Sequence, residues 1–277
     1  MVQIITDSSS LYTREEGEKL GVISIPLCVS IGEKHVRDLE IPVQEFIADI
    51  QAGGIPTSSQ PPIGDVIEAY ESCKGASIIN LSMADGLSGT YQTACSARTM
   101  VENQEDITVI NCRTLCGPHR YLVECAVSMA REGKSAEEII AMVEEKKKDT
   151  KSYLIPQDFD YLKRGGRLSP TVAAVGSLLN LKPILTPNES CTSLDKFGVG
   201  RTMNGAAKSI FKQMKKDGVG DQHILYIVHG NAPEDAERIA EMAEKEFPGI
   251  DVRIHLLSTV FITQGGPGCV AIQSIRK

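Results

Sequence analysis

The chain has 277 residues, of which 42% are apolar and 23% charged, and it carries a net charge of −7. This charge disfavours nucleic acid and anionic membranes as partners, because both bind basic surfaces. No apolar run approaches the ~20 residues of a membrane span, and the first residues lack the basic segment of a signal peptide. We therefore expect a cytoplasmic protein.

Strands alternate with helices along the first half of the chain, as judged from apolar periodicity and from the Gly and Pro that end each run. The predicted elements are strand 2–6, helix 13–20, strand 22–30, helix 42–52, a helix containing Val66, Ile67, Tyr70 and Cys73, strand 76–81, a helix from Ser88 or Gly89, strand 107–111, and helices 117–131 and 135–148. This alternation predicts a parallel, Rossmann-like sheet with a ligand crevice beyond the carboxyl ends of its strands.

The second half mixes helices with a predicted hairpin, which indicates an α/β domain with an antiparallel component. Its predicted elements are strand 153–156, helix 158–163, the basic turn 164–167, an apolar helix 171–180, hairpin strands 184–186 and 191–199, helices 201–216 and 233–247, and strands 224–228 and 252–257. We expect two domains, 1–150 with the binding loops and 151–277 closing over the ligand.

The segment from Leu81 to Ala94 connects a predicted strand to a predicted helix through a turn rich in Gly and hydroxyl residues. A helix N-terminus offers free N–H groups and a positive dipole end to an anion. Ser88 either adds a hydroxyl donor to such a site or only caps the helix. A second hydroxyl cluster, Thr57-Ser58-Ser59, is predicted to lie in a loop between two helices.

The chemistry of these two segments favours a carboxylate over a nucleotide. Neither 55–72 nor 81–97 contains Lys or Arg, and the glycine-rich phosphate-binding patterns are missing. Hydroxyls at a helix N-terminus suit a monoanion, although a nest of backbone N–H groups also binds phosphate.

At this point the chain resembles the DegV family of bacterial fatty-acid-binding proteins. The resemblance spans nearly the whole chain, and it is carried by five motifs in order: Thr6-Asp7-Ser8-Ser9-Ser10, Ser58-Ser59-Gln60-Pro61, Gly86-Leu87-Ser88-Gly89-Thr90-Tyr91-Gln92, Leu162-Lys163-Arg164-Gly165-Gly166-Arg167-Leu168 and Gly266-Pro267-Gly268.

The resemblance implies a long-chain fatty acid buried between the two domains, with its carboxylate on a loop hydroxyl and on the Ser of the Gly-Leu-Ser-Gly-Thr turn. Carried over, these positions are Ser58 and Ser88, with Gly89 in the same turn. The adjacent Thr57 leaves a one-residue ambiguity. Gln264 stands where the family commonly has His, and it keeps a hydrogen-bond donor but cannot titrate. The turn 265–268 also reads as a plain turn.

The basic turn has two interpretations. Arg164 and Arg167 either flank a flexible Gly-Gly joint or, as the resemblance implies, form the docking surface for a fatty acid kinase that phosphorylates the bound carboxylate for phospholipid synthesis. The protein is then a carrier with no catalysis and no cofactor of its own.

The alternative from another functional class is a serine hydrolase or acyl transferase using Ser88, which needs a general base that the sequence does not offer. His229 is expected to be a core or capping residue. Cys112, Cys116 and His119 have the residue types of a zinc site, but without an evident fourth ligand they favour free buried thiols and no metal.

Overall fold

The computed structural model describes residues 2–173 and 181–277. The strands are β1 Val2–Asp7, β2 Val22–Ile25, β3 Cys28–Ile31, β4 Lys34–Arg37, β5 Pro56–Ser59, β6 Ser77–Ser82, β7 Ile107–Asn111, β8 Thr150–Ile155, β9 Lys182–Pro187, β10 Leu194–Gly200, β11 His223–His229, β12 Asp251–Leu256 and β13 Val270–Arg276. The helices are α1 Arg14–Leu20, α2 Val43–Gln51, α3 Ile63–Ser72, α4 Thr90–Arg98, α5 Cys116–Arg131, α6 Ala136–Lys146, α7 Phe159–Gly165, α8 Pro170–Ala173, α9 Met203–Lys216, α10 Pro233–Glu246 and α11 Thr259–Gly265, with 3-10 turns at Ser8–Ser10, Gln104–Asp106 and Lys147–Asp149.

Contacts between residues divide the chain into two compact units. Unit 1 contains the residues up to Pro42 together with Gly53–Lys148, and unit 2 contains Val43–Ala52 together with the residues from Asp149 onward. The predicted domains meet after residue 150, and the two units meet after residue 148. The units differ from the predicted domains in one respect: α2, which lies within the range 1–150, belongs by its contacts to unit 2. Of the predicted helix 171–180, residues 171–173 belong to α8, and 174–180 lie outside the described residues.

The main sheet of unit 1 is parallel throughout, as predicted, in the order β2-β1-β6-β7. Ile4 and Ile5 of β1 point to opposite faces of this sheet, and both are buried. Both faces are therefore covered, which explains why these strands are continuous apolar runs. The strand order reverses between β1 and β6, and a ligand crevice is expected beyond the carboxyl ends of strands at such a point.

A second sheet of unit 1 was not predicted. It is antiparallel, in the order β4-β3-β5. The single predicted strand 22–30 is wrong, because Pro26, which has no N–H to donate, separates β2 in the parallel sheet from β3 in this one. The predicted hydroxyl loop at 57–59 is also wrong, since these residues belong to β5.

Unit 2 contains a six-stranded mixed sheet in the order β10-β9-β8-β13-β11-β12. Only the β11–β12 pair is parallel, and the predicted antiparallel component and the hairpin β9–β10 are confirmed. Strand β13, which was not predicted, lies between β8 and β11 and is buried from Val270 to Ile275. The polar residues Gln273 and Ser274 interrupt its apolar pattern, which is why the sequence did not predict this central strand. The amide of Gln273 donates to Ser152 Oγ.

Candidate functional site

The carboxyl ends of β1 and β6 are joined by a buried carboxylate. Asp7 Oδ1 accepts a hydrogen bond from Ser9 N at 2.9 Å and Oδ2 accepts one from Met83 N at 2.9 Å, and the side chain is only 3% exposed. Both oxygens thus serve the two loops that follow the strands. Asp7 therefore fixes the edge of the crevice through both of its oxygens.

Beneath this edge lies a buried histidine. The His119 Nε2 atom is 3.0 Å from the Leu81 carbonyl and Nδ1 is 2.9 Å from Ser9 Oγ, so Nε2 carries the proton and Ser9 donates to Nδ1. Full burial lowers the pKa of His119 and keeps the ring neutral. Ser9 and His119 resemble a catalytic pair, but both are at most 1% exposed and their hydrogen bonds join the strand ends.

The turn before α4 presents the hydroxyl of Ser88. Thr90 N donates to Ser88 Oγ at 3.3 Å, and the Ser88 and Thr90 hydroxyls are 2.8 Å apart. When the buried Thr90 Oγ1 donates in this pair, Ser88 Oγ accepts two bonds and keeps its own proton for a third partner. The cap and the ligand-donor interpretations of Ser88 are therefore compatible.

Strand β5 separates the two candidates of the hydroxyl cluster. Ser58 pairs with the buried Val29, whereas Thr57 pairs with Ser30. Side chains alternate along a strand, so Ser58 shares the covered face with Val29 and is half-buried, while Thr57 lies on the opposite face and is exposed. The alternation favours Ser58 over Thr57 as a donor inside a site.

The two hydroxyl segments of unit 1 meet at Gly89. A Cβ on this residue would lie 2.8 Å from Oε1 of Gln60, the residue after β5. The Gln60 amide therefore rests on the backbone of the turn that carries Ser88, and only Gly allows this approach. Sequence motifs that are about thirty residues apart are adjacent in space, as a common site requires. Gln60, within a quoted motif, received no role in the sequence analysis.

A cavity of about 460 Å³ in unit 1 lies elsewhere. None of Ser58, Gln60, Ser88 and Gly89 is among the residues that line it. Its charged side chains are Arg14, Arg37, Asp38, Glu40, Asp65 and Glu68. This excess of carboxylates, with Arg37 already paired to Asp65, does not suit a fatty-acid anion or an acyl tail.

In unit 2 the two glycine-rich motifs pack against each other through α7 and α11. A Cβ on Gly165 would clash with Oε1 of Gln264, and one on Gly266 would lie 2.9 Å from Tyr161 Cδ2. Gln264, a half-buried residue of α11, therefore lies directly on the basic turn. The sequence placed these two motifs in separate roles and gave no sign that they touch.

The two arginines of the basic turn differ in exposure. Arg164 is exposed, with its guanidinium 4.5 Å from the centroid of the Tyr161 ring. Arg167 is half-buried and donates to the carbonyl of Gly165, and its own carbonyl accepts from Leu194 N at 2.8 Å. Gly166 ends α7 in the left-handed region, with φ +70°. The turn thus contains the end of α7 and the hydrogen bonds of Arg167.

His229, expected to be a core or capping residue, is 8% exposed, and its Nδ1 accepts from Ala232 N at 3.0 Å before α10. Burial also lowers its pKa. The His119 ring bonds to protein groups, as described, and the Cys112 thiol is buried with its pKa raised. Within 2–173 and 181–277 no three His, Cys, Asp or Glu side chains are grouped to hold a metal ion.

A family model described as "Uncharacterised protein, DegV family" matches residues 1–277. The chain belongs to the DegV family. Among relatives of this DegV protein, a DegV domain-containing protein of Clostridium perfringens is 31% identical, covering 97% of this chain and 95% of the relative. Protein DegV of Bacillus subtilis is 30% identical, covering 98% of each chain.

Solved DegV structures share the fold over the whole length. The crystal structure of DegV, a fatty acid binding protein from Bacillus subtilis, has a TM-score of 0.87 and 29% identity, covering 100% of this chain and 99% of that one. A fatty-acid-binding DegV family protein from Thermus thermophilus has a TM-score of 0.89 and 26% identity, with the same coverage. This DegV family member has a two-domain α/β fold, with a parallel sheet in unit 1 and a mixed sheet in unit 2. Among its described residues, no helix is both long and apolar enough to cross a membrane.

Proposed function

We propose that this protein binds a long-chain fatty acid in the cytoplasm and presents its carboxylate to a fatty acid kinase, as a carrier without catalysis of its own. The observation that carries the proposal is the Ser88 hydroxyl, which accepts from Thr90 N and lies 2.8 Å from the Thr90 hydroxyl. With Thr90 Oγ1 as the donor in that pair, Ser88 keeps its own proton for a ligand oxygen. Ser58 supplies a second hydroxyl, and Gly89 admits Gln60 to the same turn.

The electrostatics of the turn support a monoanion as ligand. Helix α4, with nine residues, begins at Thr90 and brings its positive end to the turn. Asp85, the nearby acidic residue in sequence, accepts from Gly86 N and from Gln92 Nε2 at 3.1 and 3.0 Å, and these two bonds orient its carboxylate within the turn. Neutral hydrogen-bond donors and a helix dipole suit a single carboxylate, whereas a site for a polyphosphate usually contains Lys and Arg.

The catalytic alternative lacks support. A nucleophilic Ser88 needs a base within hydrogen-bond reach. Among the residues that the structure describes, the hydrogen bonds of the Ser88 hydroxyl are to two atoms of Thr90. The residues that resemble such a pair, Ser9 and His119, are buried away from solvent. A carrier needs no base at this position.

Kinase presentation rests on the basic turn. Arg164 exposes a guanidinium that is held over Tyr161, and such a positioned cation suits an acidic partner surface. Arg167 supports the turn from within, since it donates to Gly165 O. Gln264 packs on the same turn. Its inclusion among the proposed ligand contacts rests only on the family resemblance.

Native mass spectrometry of protein produced in bacteria tests the ligand class. We expect a co-purified adduct in the mass range of long-chain fatty acids, which delipidation removes and oleate restores. If the wild-type protein carries no adduct, does not bind added palmitate or oleate, and instead hydrolyses simple acyl esters, the carrier proposal is wrong.

Kinase presentation has a separate test with ATP, a purified fatty acid kinase and the loaded protein. Arg164→Glu is expected to slow acyl phosphate formation while fatty-acid affinity is retained. Arg14→Glu is the matched control, because the Arg14 side chain of α1 is 87% exposed and the variant makes the same charge reversal. Equal rates in both variants contradict docking at the basic turn.

A further inference from the structure

Thr114 has a buried hydroxyl with no hydrogen-bond partner in the structure. The residue follows β7, is 4% exposed, and its Oγ1 atom is one of four such side-chain atoms among the described residues. A buried hydroxyl without a partner is destabilising, so a native protein retains one where another molecule completes its hydrogen bond.

The hydrogen bonds around Thr114 connect it to the turn that carries Ser88. The Thr114 carbonyl accepts from Ala84 N at 3.0 Å, and Asn111 Oδ1 accepts from both Asp85 N and Arg113 N, at 3.3 and 2.9 Å. Two connections therefore join the last residue of β7 and the loop after it to the first residues of the turn that carries Ser88. Both lie at the carboxyl ends of β6 and β7.

The backbone around Thr114 is held in a costly conformation. Arg113 and Cys116, on either side of it, both have φ of +55°, a left-handed conformation that is uncommon for residues other than Gly, Asn and Asp. Such residues persist where the surroundings fix them, often at ligand sites. The loop thus holds Thr114 in place at the expense of local strain.

A carboxylate has about four acceptor positions, and Ser58 and Ser88 fill at most two of them. Resting on the proposed function, we propose that Thr114 is a third hydroxyl donor to the head group of the fatty acid. The absence of a partner for Thr114 Oγ1 within the protein then has a direct explanation, since the ligand oxygen is that partner.

The test compares Thr114→Val, which keeps the shape and removes the hydroxyl, with Thr114→Ser, which keeps the hydroxyl. Oleate affinity and the melting temperature are measured on the full-length delipidated protein. Thr114→Val is expected to weaken oleate binding roughly tenfold or more, the effect of losing one charge-assisted hydrogen bond. Thr114→Ser is expected to bind as the wild type does.

The melting temperature of the unliganded protein separates this role from a structural one. Because Thr114→Val removes an unpartnered polar atom, we expect an unchanged or higher melting temperature. Thr6→Val is the matched control, since its equally buried hydroxyl donates to Leu81 O at 3.0 Å, and it is expected to lower the melting temperature.

Two results overturn the proposal in different ways. If wild-type protein binds oleate and Thr114→Val binds it equally well, with a lowered melting temperature, the hydroxyl serves a buried water and only the role of Thr114 is wrong. If wild-type protein binds neither oleate nor palmitate, the proposed function fails and the role of Thr114 fails with it.

Discussion

The Ser88 hydroxyl gives the proposed function a quantitative test. Ser88→Ala leaves one oxygen of a buried carboxylate without its charge-assisted donor, which costs about 1.5–3 kcal/mol. At about 1.4 kcal/mol per factor of ten, the affinity for a fatty acid is expected to fall about tenfold to a hundredfold. The cost to folding is smaller, because the capping bond from Thr90 N, at 3.3 Å, is long.

Thr90→Val refines this test, because Thr90 is a positioning residue that acts through Ser88. If Thr90 Oγ1 is the donor to Ser88 Oγ, Thr90→Val removes the bond that leaves the Ser88 proton free for the ligand, and we expect a loss of about threefold to tenfold in affinity, in keeping with a neutral hydrogen bond. In the Ser88→Ala background the same substitution is expected to have no further effect, as for residues that share one interaction.

Isothermal titration calorimetry with oleate on delipidated protein, beside thermal melting of each variant, measures both quantities. Unchanged affinity in Ser88→Ala, with a normal melting curve, reduces Ser88 to a helix cap and refutes the reasoning. Additive losses in the double variant mean that Thr90 contacts the ligand itself.

Three further predictions follow from β5, α11 and the buried ring of α5. Ser58→Ala is expected to weaken oleate binding about tenfold or more, whereas Thr57→Val, on the exposed face, leaves it unchanged; the opposite ranking in calorimetry assigns the donor to Thr57. Oleate affinity is expected to stay nearly constant between pH 6 and 8 and to acquire a pH dependence in Gln264→His, since an imidazole titrates near about 6.5; a steep dependence in the wild type means that a histidine reaches the head group. Burial lowers the pKa of His119 in the folded state, so below about pH 6.5 the unfolded state binds more protons than the folded state does. The stability that this difference contributes is fully present above that pH and is lost as the pH falls through the folded pKa. Urea titrations at pH 7.5, 6.5 and 5.5 are expected to give a flatter profile for His119→Gln than for His35→Gln, an exposed control, and equal slopes contradict the assignment.

The sequence predicted the parallel sheet well because its strands are buried on both faces and read as apolar runs bounded by helices. Asp7 and Ser88 could be placed at strand ends on that basis alone. The antiparallel sheet containing Ser58 escaped prediction, since Pro56–Ser59 is a short polar run that shows no apolar alternation. Ser58 is half-buried because it pairs with Val29 on the partner strand, and nothing in the sequence of β5 itself indicates this burial.

The relation of Gln60 to Gly89 and of Gln264 to Gly165 was equally invisible in the sequence. Each contact joins a long amide side chain to a glycine distant along the chain, and its only local sign is a glycine without a positive φ. Such a glycine is retained for close approach rather than for backbone freedom, a distinction that needs coordinates. The unpartnered hydroxyl of Thr114 likewise appears only when every buried polar atom has been paired.

The steric contact between Gly165 and Gln264 also has an evolutionary consequence. Because any side chain at position 165 meets the amide at position 264, the two sites are not free to drift independently. A relative with His in place of Gln264 presents a side chain of different shape to the end of α7. We therefore expect either a compensating change near residue 165 or a glycine that is always kept there. Pairwise covariation between the two positions in an alignment of relatives, stronger than between either one and its neighbours in sequence, is the trace this constraint leaves.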